Sequence, residues 1–244
     1  MLNVEGISKT YQANASFFFN TKNKTFNCLS DISFELKRGD CLGILGANGS
    51  GKTTLLKILF GSVFPTKGEI SYNNKLVSPD VGLRRYSSLF HNNDRSFFWR
   101  LTVRENLRYF GSLEGEENSN IWLKDFSLLN IDSLLDVKFM HLSAGQRKKV
   151  ALYRGLLKNP NILFFDEFTE SLDLENQMNF ELLVKHLRKN MNKTVVWVTH
   201  SLEEIKNLCN KVIILSNGKI QLIDNNFFND VEKMDCLRKK LLEK

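Results

Sequence analysis

Gly46-Ala47-Asn48-Gly49-Ser50-Gly51-Lys52-Thr53 lies between two apolar runs, Cys41-Leu42-Gly43-Ile44-Leu45 before it and Thr54-Leu55-Leu56-Lys57-Ile58-Leu59 after it. The segment has the spacing G-x-x-x-x-G-K-[ST], and its flanks read as a buried strand entering a loop and an amphipathic helix leaving it. In such a loop the backbone N–H groups of Gly49, Ser50 and Gly51 point inward as a nest for phosphate oxygens, and Lys52 adds a point charge. The Thr53 hydroxyl suits a magnesium ion, and the helix start contributes the positive end of its dipole. The competing reading is a glycine-rich turn before a helix, and the flanking pattern counts against it.

Working outward, Asn161-Ile162-Leu163-Phe164-Phe165-Asp166-Glu167 is an apolar strand ending in two carboxylates. Open α/β sheets bind ligands at the carboxyl edge, which is where such a strand would deliver both acids. Asp166 is then expected to hold magnesium and Glu167 to polarise an attacking water. Ser143-Ala144-Gly145-Gln146 has the S-x-x-Q spacing of a capping box and marks a helix start, with Gly145 allowing close approach of an anion. Together with the phosphate loop it points to a nucleotide held between two subunits. His200 follows the strand-like run Thr194 to Val198 and should sit at the same edge as Glu167, with Ser201-Leu202-Glu203-Glu204 capping the next helix.

The chain has 244 residues, enough to bury a full core as one large domain or as a core with a subdomain. Hydrophobic residues make up 42% and charged residues 25%, ordinary for a globular protein, and no apolar run approaches the roughly 18 residues of a membrane span. The start, Met1-Leu2-Asn3-Val4-Glu5, lacks the basic and apolar regions of a signal peptide. Cys28, Cys41, Cys209 and Cys236 show no CxxC or metal-like spacing, as expected of reduced thiols in a cytosolic protein. The net charge of +7 is scattered apart from Arg147-Lys148-Lys149 and Arg238-Lys239-Lys240. A solvated surface is the favoured reading, with anionic lipid still compatible and no nucleic-acid module in sight.

The remaining organisation follows from periodicity. Residues 1–12 and 29–37 read as strands on either side of a polar, phenylalanine-rich stretch from Asn14 to Asn27. Glu69 to Tyr72 and Lys75 to Val77 form a hairpin pattern around Asn73-Asn74. From about Leu101 to Asn159 the helical period dominates, with a capping box at Thr102-Val103-Arg104-Glu105. Strand-like Lys211 to Leu215 and helical Leu174 to Asn190 complete an alternation that predicts a largely parallel sheet covered by helices.

The order of these motifs resembles the ATP-binding cassette (ABC) ATPases over nearly the whole chain. Gly46 to Thr53 is similar to the Walker A loop, Ile162 to Asp166 to the Walker B strand, and Leu142 to Gln146 to the family signature. Glu167 falls at the catalytic glutamate, Ser171-Leu172-Asp173 at the D-loop, His200 at the switch histidine, and Tyr11 where an aromatic meets adenine. Base–aromatic stacking is worth about 1–3 kcal/mol in nucleic-acid binders; Phe17, Phe18, Phe19 and Phe26 lie nearby and would substitute or pack. The resemblance implies an α/β fold with a P-loop NTPase (RecA-like) core, an antiparallel β subdomain and an inserted α-helical subdomain. The expected division is 1–86 and 157–224 for the core, 87–156 for the helical subdomain, and 225–244 for a tail. It implies that Lys52, Glu167 and His200 act in catalysis. ATP contacts are implied for Tyr11, Gly46, Asn48, Gly49, Ser50, Gly51, Lys52, Thr53, Thr54, Ser143, Gly145, Gln146 and Asp173. Magnesium would be held by Thr53, Asp166 and His91.

His91 is a departure. The family carries a glutamine in the loop joining core and helical subdomain, and here the stretch is Ser87 to Arg95. His91 is the best positional match, with Asn92 and Asn93 as alternatives. The following Arg95-Ser96-Phe97-Phe98-Trp99-Arg100-Leu101-Thr102 resembles the equivalent region of ABC-2-type exporter ATPases. The resemblance therefore implies an ATP-hydrolysing subunit of an exporter, dimerising with an identical or related cassette. It would sit in the cytoplasm against the inner face of the membrane and work with separate membrane-spanning permease subunits. Phe97, Phe98 and Trp99 are either the docking surface for such subunits or subdomain core. The alternatives are a soluble ABC ATPase acting on ribosomes or nucleic acid, and a regulatory cassette with weak hydrolysis; one phosphate loop, one signature and no sustained heptads disfavour the first.

Overall fold

The computed structural model describes residues 1–13, 24–91, 96–113, 129–170 and 172–224. Phe17, Phe18, Phe19, Asn92, Asn93, Arg95, Ser171, Cys236 and the tail 225–244 lie outside the described residues.

Among the described residues ten strands form two sheets. β1 (Leu2–Ala13), β2 (Lys24–Leu36), β4 (Lys67–Tyr72) and β5 (Lys75–Leu76) make an antiparallel sheet in the order β2-β1-β4-β5. The second sheet runs β10-β9-β3-β8-β7-β6, with β3 (Cys41–Leu45), β6 (Ser87–His91), β7 (Ile162–Asp166), β8 (Thr194–Val198) and β9 (Lys211–Ser216) all parallel. The edge strand β10 (Lys219–Asp224) runs antiparallel to β9. The helices are α1 (Lys52–Phe60), α2 (Val103–Leu113), α3 (Ala144–Leu156), α4 (Leu174–Lys189) and α5 (Leu202–Leu208).

Strand side chains alternate across a sheet, and here the alternation makes the layers. Leu42, Ile44, Ile162, Phe164, Val196, Val198 and Ile213 face α1 and the antiparallel sheet, in a cluster with Leu55, Leu59, Ile7 and Ile32. Their neighbours Cys41, Leu45, Leu163, Phe165, Val195, Trp197 and Val212 face α3, α4 and α5, with Val150, Phe180 and Ile205. Both faces of the parallel sheet are thus covered, and its carboxyl edge stays open for a site.

Two local expectations shift. Ser87–His91, anticipated at the start of the helical subdomain, is instead the edge strand β6 of the main sheet, paired with β7 from Ser87↔Ile162 to His91↔Asp166. A boundary at residue 87 is therefore too early. β2 begins at Lys24 rather than 29, pairing with the outer half of β1. The Asn73-Asn74 hairpin forms as read, both residues taking positive φ (51° and 60°). That is the twist a tight two-residue turn demands, and asparagine tolerates it better than most residues. Phe97, Phe98 and Trp99 divide. Phe97 is buried and stacks on Phe139 with ring centroids 4.3 Å apart, whereas Phe98 and Trp99 are exposed.

Candidate active site

β3 runs out at Leu45 and α1 begins at Lys52, so Gly46–Gly51 wraps the space in front of the helix start. Gly51 has φ 105° and Gly49 φ 79°, left-handed conformations that glycine adopts without cost. A side chain at Gly51 would also meet Leu29 at 2.7 Å and the Cys28 carbonyl at 3.0 Å. Gly51 provides no side-chain cap, so the first N–H groups of α1 remain available. Lys52 is 5% exposed and donates to the carbonyls of Gly46 (2.8 Å) and Ala47 (3.1 Å). Burial lowers its pKa, and the carboxylates of Glu167 and Asp166 oppose that shift. Ser50 Oγ is buried with no hydrogen-bond partner among the described residues, an orphan that a ligand oxygen in the loop would relieve.

Across the loop, β7 ends with Asp166 and the chain turns sharply. Glu167 takes φ 50°, a strained value for a residue with a side chain, and its N–H is held by the Val198 carbonyl at 3.0 Å. The turn separates the two acids. Asp166 Oδ1 accepts from Thr53 Oγ1 at 3.1 Å. Glu167 Oε1 lies 2.6 Å from His200 Nε2 and 3.9 Å from Lys52 Nζ. Burial raises the Asp166 pKa, partly offset by the Thr53 hydrogen bond and reinforced by the Glu167 charge. On the neighbouring strand His91 is in register with Asp166. Partial burial lowers its pKa against the opposing pull of Asp166, which favours neutral imidazole.

This donor set fits a magnesium ion. Thr53 and Asp166 offer one hydroxyl and one carboxylate already side by side, and Mg²⁺ is commonly bound through one or two carboxylates, phosphate oxygens and water. Among the described residues no three His, Cys, Asp or Glu side chains form a cage of their own, so the phosphates would have to supply part of the shell.

The other candidate residues lie apart from this cluster. Ser143 caps α3 with a complete box: its Oγ accepts from Gln146 N–H (3.3 Å), and its own N–H donates to Gln146 Oε1 (2.9 Å). Gly145 abuts α4, where a Cβ would fall 2.9 Å from Asn176 Nδ2. Asp173 caps α4 by accepting from Asn176 N–H at 2.8 Å. Tyr11 is exposed beside Phe26, its pair on β2, with Lys9 Nζ 4.9 Å from its ring centre. Two residues further along β2, Cys28 reaches the phosphate loop, its Sγ donating to Thr54 Oγ1 at 3.4 Å.

Residues that pattern reading did not assign to the site support the same edge. Lys148 of α3 is buried and donates to the Phe168 carbonyl, just after Glu167. Thr169 and Trp197 both donate to Glu204. In the sequence Lys148 reads as part of a basic cluster and Glu204 as part of a helix cap, and the burial that gives them these partners is not visible there.

A phosphate loop at a strand–helix junction, with a Thr–Asp pair and a Glu–His pair on the carboxyl edge of a parallel sheet, defines a P-loop ATPase. The family described as ABC transporter matches residues 29–170, more than half of the chain, and the chain belongs to it as an ABC ATPase cassette. The ABC transporter ATP-binding protein NatA of Bacillus subtilis is 30% identical over 206 residues, 83% of each chain. The methionine import ATP-binding protein MetN of the same organism is 28% identical over 229 residues, 90% of this chain, which spans 64% of MetN's length. Among solved structures, the dimeric form of MJ0796, a bacterial ABC transporter cassette, has a TM-score of 0.76 at 25% identity, covering 92% of this chain and 98% of that one.

Proposed function

We propose that this cassette binds and hydrolyses ATP to drive a membrane transporter whose spanning subunits are separate chains. The observation that carries the hydrolytic part is the 2.6 Å contact of His200 Nε2 with Glu167 Oε1, at 3.9 Å from Lys52. Base, switch and phosphate-binding cation already stand together. On nucleotide entry the Lys52 ammonium exchanges the Gly46 and Ala47 carbonyls for phosphate oxygens, and the free N–H groups at the α1 start take others. Ser50 gains the partner it lacks. Tyr11, assisted by Phe26, stacks on the base.

Thr53 and Asp166 would hold magnesium, which would supply positive charge against the phosphates. His91, neutral beside Asp166, accepts or donates a hydrogen bond where the family uses a glutamine. Glu167 orients the attacking water and takes its proton, a role worth about 10²–10⁴ in rate. His200 holds that carboxylate in place and offers a donor to the terminal phosphate. The tip of α3 at Ser143 and Gly145 serves the nucleotide of a second cassette, and Asp173 approaches along the same interface; a dimeric relative at 25% identity supports this arrangement.

No helix among the described residues is long and apolar enough to cross a membrane, in keeping with a separate permease. Exposed Phe98, Trp99, Tyr109 and Met140 give the helical region an apolar face on which such a subunit docks. On that reading the chain sits on the inner membrane face. Export is the direction we propose, on the Arg95–Thr102 sequence resemblance; MetN is an import protein, so vesicle transport assays decide this point.

The central test is Glu167→Gln. ATP binding should persist, turnover should fall by about 10²–10⁴, and ATP should trap a dimer in size-exclusion chromatography. Unchanged phosphate release would remove Glu167 from the role. Isolation from membranes should bring down polytopic partners; ribosomes in their place would redirect the reading to a soluble ABC ATPase.

A further inference from the structure

Beneath the catalytic edge lies a buried carboxyl that the mechanism above does not use. Glu204, in the first turn of α5, is 7% exposed. Its sequence setting, Ser201-Leu202-Glu203-Glu204, has the S-x-x-E spacing of a capping box, and half of that box forms: the Glu204 N–H donates to Ser201 Oγ at 3.3 Å. The other half does not. The Ser201 N–H goes to Thr199 Oγ1 at 3.0 Å, and the Glu204 side chain turns inward instead. At Thr102–Glu105 the same spacing closes fully, Glu105 Oε2 accepting from the Thr102 N–H at 2.7 Å. The inward turn of Glu204 is therefore a departure from what its position offers locally.

What it gains is a pair of donors from two different segments, the turn after β7 and the end of β8. Thr169 Oγ1 donates to Glu204 Oε1 at 2.6 Å, and Trp197 Nε1 donates to Oε2 at 3.0 Å. Thr169 lies two residues after Glu167, and Trp197 three residues before His200. Thr169 is 2% exposed and Trp197 fully buried, so neither donor has water as an alternative. The strained Glu167 turn is thereby tied to the His200 segment through one side chain, a few residues from where Glu167 and His200 meet at 2.6 Å. A cleft of about 200 Å³ lined by Glu167, His200, Thr169 and Glu204 lies beside this tie. The β7–β8 pairing and the Glu167 N–H to Val198 carbonyl bond (3.0 Å) fix the backbones here, and the Glu204 bridge adds a side-chain tie just beyond them.

We propose that Glu204 is a positioning residue that, through Thr169 and Trp197, sets the Glu167–His200 contact required for hydrolysis. The inference rests on the hydrolytic reading of Glu167. It requires the turn after Glu167 and the segment before His200 to hold one relative position, so the buried hydroxyl at residue 169 matters.

Thr169→Val keeps the shape and removes the donor; Thr169→Ser keeps the donor. In steady-state phosphate release by the full chain, Thr169→Val should lower kcat about tenfold or more, since misplacement by about 1 Å can cost 10²-fold. KM for ATP should stay within about twofold, and Thr169→Ser should restore kcat. On a His200→Ala background Thr169→Val should cause no further loss, because the contact it sets is already gone. Trp197 emission, isolated by subtraction of a Trp197→Phe variant, should shift in Glu204→Leu as the indole loses its acceptor. The inference is overturned if Thr169→Val retains the kcat of the native chain, or if its loss multiplies with that of His200→Ala. Loss of activity in Glu167→Gln alongside full activity in Thr169→Val would sink only the positioning role; full activity in Glu167→Gln would sink the hydrolytic reading itself.

Discussion

The starts of α1 and α3 are both helix N-termini with a glycine close by, and they are built in opposite ways. α1 opens on Gly51 at φ 105° with no side-chain cap, whereas α3 opens on Ser143 with both halves of a capping box in place. α2, α4 and α5 are capped as well, by Thr102, Asp173 and Ser201. Among the described α-helices α1 alone has no side chain capping its first donors. A helix start that serves an anion within its own chain keeps its N–H groups free and adds a cation, the part we propose for Lys52. A helix start closed on itself has less to give. What α3 still presents is the exposed Ser143 with the outer side of its hydroxyl, while Gly145 behind it is buried against Asn176 of α4. A tip of this kind suits a nucleotide that another subunit already grips.

The sharpest way to break the comparison is to give α1 a side chain where it has none. Gly51→Ala combines a left-handed φ with crowding against Leu29 and the Cys28 carbonyl. The two penalties together predict about 2–5 kcal/mol of lost stability, read as a fall in thermal midpoint, and loss of nucleotide binding. Gly49→Ala is the internal control: it has φ 79° but nothing within 4 Å, so only the conformational penalty of about 1–2 kcal/mol applies. Equal losses in the two variants would mean that packing around Gly51 contributes nothing.

Next in size is the cation. Lys52→Ala removes a charge-assisted contact to phosphate worth about 1.5–3 kcal/mol, which corresponds to roughly a 10–150-fold weaker affinity in a nucleotide titration. The same titration on a Gln146→Ala variant, which opens the box on α3, should leave the affinity of the isolated subunit unchanged. Weakened binding there would bring the α3 tip into the site of its own chain and end the contrast.

The two starts also differ in how much of them a sequence reveals. Gly46–Thr53 is local: every atom it offers to phosphate comes from eight consecutive residues, so spacing alone suffices. Ser143–Gln146 is legible as a cap for the same reason. β6 is not legible, because Ser87-Ser88-Leu89-Phe90-His91 carries no clear alternation and owes its strand conformation to β7 beside it. Phe90 is then locked from the other side, where α3 places Gly155 against its ring. His91 could be matched to a position, but its place opposite Asp166 came only with that pairing. Glu204 shows the converse failure. Its spacing reads as a capping box, and a tertiary partner on each oxygen overrides the local option.

The smallest effect is the most discriminating. Ser143→Ala removes the cap of α3 and should cost about 1 kcal/mol of stability, whereas Ser143→Gly should cost only a few tenths, because glycine is itself tolerated at a helix start. If Ser143 acts solely as a cap, turnover should follow stability: low in the alanine variant and near normal in the glycine one. If its hydroxyl also meets the phosphate of a neighbouring cassette, both variants should lose turnover to a similar degree, with the affinity of the isolated subunit for ATP unchanged. The loss should also be confined to the assembled form, since the hydroxyl has no phosphate to meet in a single subunit. The two variants thus separate what Ser143 does for its own helix from what it does for the partner, and normal turnover in Ser143→Gly would leave α3 as an ordinary capped helix.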